Sequence, residues 1–143
     1  MLAKPSLTIR RRFNTAPAKV YAAWTEPAQI VRWFGPGRAE VRKAEIDLRE
    51  GGRFHIIFYS PEDGEDHDVS GVYREVVKDR TLCFTWAWKS TPERESLVTV
   101  TLKPDGDGTW LTLHHEQFFD QAARDAHHFG WSGTLERLAG LFE

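Results

Sequence analysis

Two histidine pairs, His114-His115 and His127-His128, carry the side chains of this sequence best suited to acid–base or metal chemistry. The first pair lies in Thr109 to Gln117, where apolar and polar residues alternate as on a half-buried strand. Leu111 and Leu113 must face a core, which puts His115 and Gln117 on that side and His114 on the other. The second pair lies in a helical stretch, where His127 falls one turn before Trp131 and shares its stripe. His115, Gln117 and His127 are therefore expected to form the polar end of a pocket. For each histidine a structural role competes, that of a core imidazole hydrogen-bonded to backbone. At most one histidine of each pair can reach a common centre, short of the three or four ligands that a metal needs. Neither a metal nor another cofactor is expected.

The aromatic side chains are the next signal. Six Trp, nine Phe and three Tyr in 143 residues exceed what routine packing requires, and large rings suit the walls of an apolar cavity. Phe84, Trp86 and Trp88 alternate on one face of a strand, while Trp33, Phe34 and Trp131 come from elements placed to close a pocket mouth. Leu135 follows Trp131 on the same helical stripe and is a further candidate for the lining. Packed against one another these rings would be simple core; the case for a cavity is that aromatic area occurs on every wall at once.

Other chemistry is thinner. Arg11 shares parity with Leu7, Ile9 and Phe13, so it either snorkels out at a sheet end, pairs with a buried acid or meets a ligand carboxylate. Ser70, Ser96 and Ser132 lie in no nucleophile elbow, and Cys83 occupies the face opposite Phe84. Gly51-Gly52 lacks the spacing and the lysine of a phosphate loop. The acidic run from Glu62 to Asp68 lacks the alternation of a calcium loop and reads as a solvated hairpin end.

The elements that must position these residues follow from the periodicity. Leu7 to Phe13 alternates as a strand. Pro17 suits a first helical turn, Val20 and Trp24 share a face, and Glu26-Pro27 restarts a second short helix that Gly35-Pro36 stops. Five more strands, Val41–Leu48, Arg53–Tyr59, Val69–Val77, Thr81–Trp88 and Leu97–Leu102, precede Thr109–Gln117, joined by turns that make neighbours antiparallel. Asp120 can cap a helix from about Gln121 to Phe142, with Trp131, Leu135, Leu138 and Phe142 on one stripe. About 22 residues at 1.5 Å each span roughly 33 Å, enough to cross a whole sheet. No linker or repeat interrupts the order, so residues 1–143 are expected to form one domain.

Bulk properties narrow the function classes. With 41% apolar residues, 28% charged residues and a net charge of −2, the chain carries no electrostatic footprint for nucleic acid and no polybasic membrane patch. No stretch approaches the roughly 18 apolar residues of a membrane span, and the N-terminus lacks the apolar run of a secretory signal. A single cysteine, Cys83, rules out an internal disulfide and fits a reducing compartment. A cytoplasmic protein, monomeric or homodimeric, is expected.

The order strand, two short helices, six strands, long helix resembles the START-like (SRPBCC) superfamily. Arg11-x-Phe13-x-x-Ala16-Pro17, Val20-x-x-Ala23-Trp24-Thr25-x-Pro27 and Trp33-Phe34-Gly35-Pro36 are similar to the amino-terminal signature of one branch, the activator of heat-shock-chaperone ATPase homologue family. Asp47-Leu48-Arg49-x-Gly51-Gly52, Gly71-x-Tyr73-x-Glu75-Val76, Gly108-Thr109 and Gly130-Trp131-x-x-x-Leu135-x-Arg137-Leu138 resemble its later motifs. The resemblance implies an α+β helix-grip fold, a seven-stranded curved antiparallel sheet with two short helices and a long C-terminal helix enclosing a pocket. It also implies a non-catalytic module that holds a small hydrophobic or aromatic ligand. Two alternatives accompany that expectation. One is a co-chaperone or stress-related domain with a chaperone partner, although the separate amino-terminal domain of the eukaryotic activator has no counterpart here. The other is a cyclase-, dehydratase- or hydrolase-type enzyme using His115 or His127 as general acid or base.

Overall fold

The computed structural model describes residues 4–143, so Met1 to Ala3 of the expected domain lie outside the described residues. The chain runs β1 (Leu7–Phe13), α1 (Pro17–Thr25), α2 (Pro27–Ile30), β2 (Glu40–Ile46), β3 (Arg53–Ser60), β4 (Glu65–Val77), β5 (Thr81–Trp88), β6 (Ser96–Asp105), β7 (Gly108–Glu116) and α3 (Gln121–Gly140). Each turn between β2 and β7 is short, so consecutive strands pair antiparallel, and β1 closes the order β1-β7-β6-β5-β4-β3-β2. The sheet curves around α3 in a helix-grip α+β fold.

Period-2 patterning decides which face each strand buries. On β7, Leu111, Leu113 and His115 are fully buried, and on β6 Val98 and Val100 meet them from the neighbouring strand. On α3 all the buried residues, Trp131, Thr134, Leu135, Leu138 and Ala139, lie in the second half. That half seals the core; from the first half, Ala123 packs against the core and the His127 ring lies 5.1 Å from that of His115. Asp120 starts the helix as expected, its carboxylate accepting the Ala123 N–H at 2.8 Å. At the other end of the sheet, α1 and α2 are pinned together by the Trp33 indole N–H, which donates to the Ala23 carbonyl at 3.0 Å.

Gly71 shows why one motif glycine is needed. A Cβ there would run into the Thr85 carbonyl oxygen and the Phe54 ring, where β4 and β5 approach and the Val72 N–H donates to Thr85 Oγ1 at 2.8 Å.

Two boundaries differ from expectation in ways that matter for the site. β4 begins at Glu65 rather than Val69, because the acidic residues 65–68 pair with residues 57–60 of β3 instead of forming a loop. The hairpin is thus longer, and His67 is set directly opposite Phe58. β7 ends at Glu116, and Gln117 takes a left-handed φ of 67° with its side chain exposed. That turn breaks the alternation, so Gln117 does not share the face of His115. Phe118 occupies the core side instead, its ring 4.2 Å from the His115 imidazole.

Candidate functional site

Between the first half of α3 and the sheet lies an open pocket with a volume of about 420 Å³. Phe58 on β3, Trp86 and Trp88 on β5, Phe34 after α2, and His127 and Trp131 on α3 form its walls. The rings interlock in tilted and edge-to-face pairs. Trp86 and Trp131 are 5.0 Å apart at 46°, Trp86 and Trp88 are 5.5 Å apart at 85°, and Phe34 meets Trp131 at 6.3 Å and 88°. Two features shape the pocket. Gly130 faces the pocket from mid-helix, where a Cβ would meet nothing within 4 Å. Arg137, one turn past Gly133, donates through Nη1 to the carbonyls of Gly35 (2.8 Å), Ala39 (3.1 Å) and Phe34 (3.4 Å), fixing the loop that carries Phe34.

The two histidines are both bonded to indoles. An indole N–H only donates, so each imidazole nitrogen that meets one is an unprotonated acceptor. His115 Nδ1 accepts from Trp131 Nε1 at 3.0 Å, and its Nε2–H faces Ser96 Oγ at 2.7 Å. The Ser96 hydroxyl passes its own hydrogen to the Trp86 carbonyl at 3.3 Å. His115 is 0% exposed, and burial, followed by the neighbouring His127, pushes its pKa down to about 2. His127 donates Nδ1–H to the Ala123 carbonyl at 2.7 Å, while Nε2 accepts from Trp88 (3.0 Å) and Trp86 (3.3 Å). Burial lowers its pKa as well. Both rings therefore act as neutral clamps that set the indoles.

The residues singled out from the sequence separate into three groups. Phe34, Trp86, Trp88, His127 and Trp131 line the pocket. Trp33, Phe84, His115 and Leu135 lie in the packed core beneath it, where Phe84 meets Phe54 edge to face at 5.2 Å. Gln117 is on the surface, away from the pocket. Arg11 reaches the sheet end and pairs with Glu136 of α3. His114, on the outer face, bonds to Thr8 Oγ1 at 2.9 Å.

Sequence reasoning missed the mouth. Ser60, Asp63 and His67 of the β3–β4 hairpin border the pocket, with Phe129 on the helix side. Asp63 accepts the Glu65 N–H at 2.9 Å and bonds His67 Nε2 at 2.8 Å. The Glu65 amide, more than His67, holds the Asp63 carboxyl below the usual range. The His67 ring stacks on Phe58 at 5.1 Å and 21°. Parity with Phe54 and Ile56 was a signal for Phe58; the acidic run masked His67.

The family model for activator of Hsp90 ATPase homolog 1-like proteins (AHSA1) matches residues 14–143. The chain belongs to this family. The human activator of 90 kDa heat shock protein ATPase homolog 1 is 27% identical over 96 residues, 67% of this chain but 24% of that protein. The chain thus spans about a quarter of that relative's length. Among solved structures, protein CV1439 of Chromobacterium violaceum has a TM-score of 0.86 at 26% identity, covering 97% of this chain and 98% of that one. The AHSA1 protein SPO3351 of Silicibacter pomeroyi has a TM-score of 0.82 at 28% identity, covering 95% and 96%. CalU16 of Micromonospora echinospora has a TM-score of 0.71 at 31% identity, covering 96% and 74%. Among the described residues no helix is long and apolar enough to cross a membrane.

Proposed function

We propose that this protein is a binding module that holds a small apolar or aromatic molecule in the pocket between its sheet and α3. The observation that carries this reading is the open volume of about 420 Å³ walled by Phe34, Phe58, Trp86, Trp88 and Trp131. Apolar area exposed in a concave site is regained from water when a ligand covers it, at about 25 cal/mol per Å² before the costs of association. His115 has both ring nitrogens bonded and no exposure, so the acid–base role considered for it gains no support from the geometry.

Gly130 provides the test. Gly130→Leu directs a side chain into open pocket space and replaces a poor helix former by a good one, worth roughly 1 kcal/mol. Wild type should bind 2-naphthalenemethanol one to one by native mass spectrometry and by saturable tryptophan quenching. The variant should melt at the same or a higher temperature and lose that binding. Equal binding by both proteins, or none by wild type across a hydrophobic panel, would refute the proposal.

A second reading, a chaperone-engaging domain, is favoured by the family match and by the similarity to the human activator. It requires the purified domain to stimulate a chaperone ATPase, and an unchanged ATPase rate would end it.

A further inference from the structure

Among the described residues, every side-chain hydrogen-bond donor around the pocket is already engaged by the protein. The Trp86 and Trp88 indoles bond His127, and the Trp131 indole bonds His115. His127 gives its one N–H to the Ala123 carbonyl. The Ser60 hydroxyl donates to Glu62 Oε2 at 3.1 Å, and the Thr134 hydroxyl to the Gly130 carbonyl at 2.8 Å. His67 Nε2 faces a carboxylate that only accepts, so that nitrogen carries the hydrogen. What remains is acceptor capacity, in the further lone pairs of the Asp63 carboxylate.

The charge points the same way. Among the described residues, Asp63 is the only formally charged side chain of the lining. Nearby cations are turned elsewhere: Arg38 faces Glu62 at 3.7 Å, and Arg137 Nη1 is held by three backbone carbonyls behind Gly35. The indole and phenyl faces add negative quadrupole, which attracts cations and repels carboxylates.

Resting on the binding role proposed above, we infer that the pocket selects an amine-type cation carried on an aromatic or apolar body, its ammonium at Asp63 and its body between the tryptophans. A fatty acid or an aromatic carboxylate, by contrast, would bring a charge that meets another carboxylate and no free side-chain donor. Removing such a charge from water without partners is costly.

Three probes with one body separate the ideas: 2-naphthylmethylamine, 2-naphthalenemethanol and 2-naphthoate, titrated by calorimetry near pH 7.5. Wild type should bind the amine at least about fivefold tighter than the alcohol, the scale of one cation–π or ion-pair contact, and the carboxylate most weakly. Asp63→Asn should remove most of the amine's advantage over the alcohol. Asp63→Ser, which keeps an acceptor for the Glu65 amide without the charge, should do the same and guards against a folding defect. If the carboxylate matches or exceeds the alcohol, or the amine advantage survives both variants, the inference is overturned while the pocket reading stands. If none of the three probes binds wild type, the pocket reading falls and the inference with it.

Discussion

His115 makes the fold sensitive to mild acid. In the unfolded chain its imidazole takes a proton near pH 6.5; in the core it takes one only near pH 2. The folded state therefore prefers the neutral ring, and its contribution is complete above about pH 6.5 and is lost as pH falls toward the folded value. Across the whole shift the loss approaches about 6 kcal/mol, comparable to the total stability of a small domain. Between about pH 6.5 and pH 5 it is about 2 kcal/mol, a slope of roughly 1.4 kcal/mol per pH unit from one proton. His127, also lowered, adds to that slope in the same direction. The carboxyls held low, Glu45, Glu62, Asp63 and Asp105, add their losses only below about pH 4.5. Urea unfolding followed by circular dichroism at several pH values from about 7.5 to 5 measures the slope. His115→Gln, which keeps an acceptor for Trp131 and a donor for Ser96, should be less stable at neutral pH but shallower by about one proton. Equal slopes in the two proteins, or stability that does not fall on acidification, would refute the assignment of a neutral, buried His115.

Arg137→Ala removes Nη1 from three backbone carbonyls; a loss of about 2–3 kcal/mol is expected by urea unfolding, with weaker naphthyl binding because the Phe34 loop is released. His127→Phe leaves the Trp86 and Trp88 indole N–H groups without their acceptor; it should cost about 1–3 kcal/mol and alter the tryptophan emission at pH 7.5.

The fold was legible because its alternation and helical stripes are long and the turn chemistry between them is strong. Leu111, Leu113 and His115 were placed on one face by parity alone, and Asp120 by its capping chemistry. Parity failed at Gln117, since it holds only while the backbone stays extended and a single left-handed residue ends it. The hairpin from Ser60 to Asp68 was misjudged because charge there dominates composition, although residues 65–68 still pair in register with β3. Whether an inward residue meets a neighbour or empty space depends on packing between distant elements. Periodicity therefore could not separate Trp86 and Trp131, which line the pocket, from Trp33 and Phe84, which do not. Nor could it reveal that each histidine already had its indole partners.

Those indole–imidazole bonds also govern how adaptable the pocket is. Trp86, Trp88 and Trp131 are each held at the nitrogen as well as packed at the ring, so none can turn freely to fit a new shape. Among the described residues the lining contains no methionine, the side chain that lets promiscuous sites remould. A ligand of the right outline would meet walls already in place and give up little protein entropy on entering, while one of the wrong outline would have to break buried hydrogen bonds. On the binding role proposed above, such a pocket would discriminate by shape, at the expense of breadth.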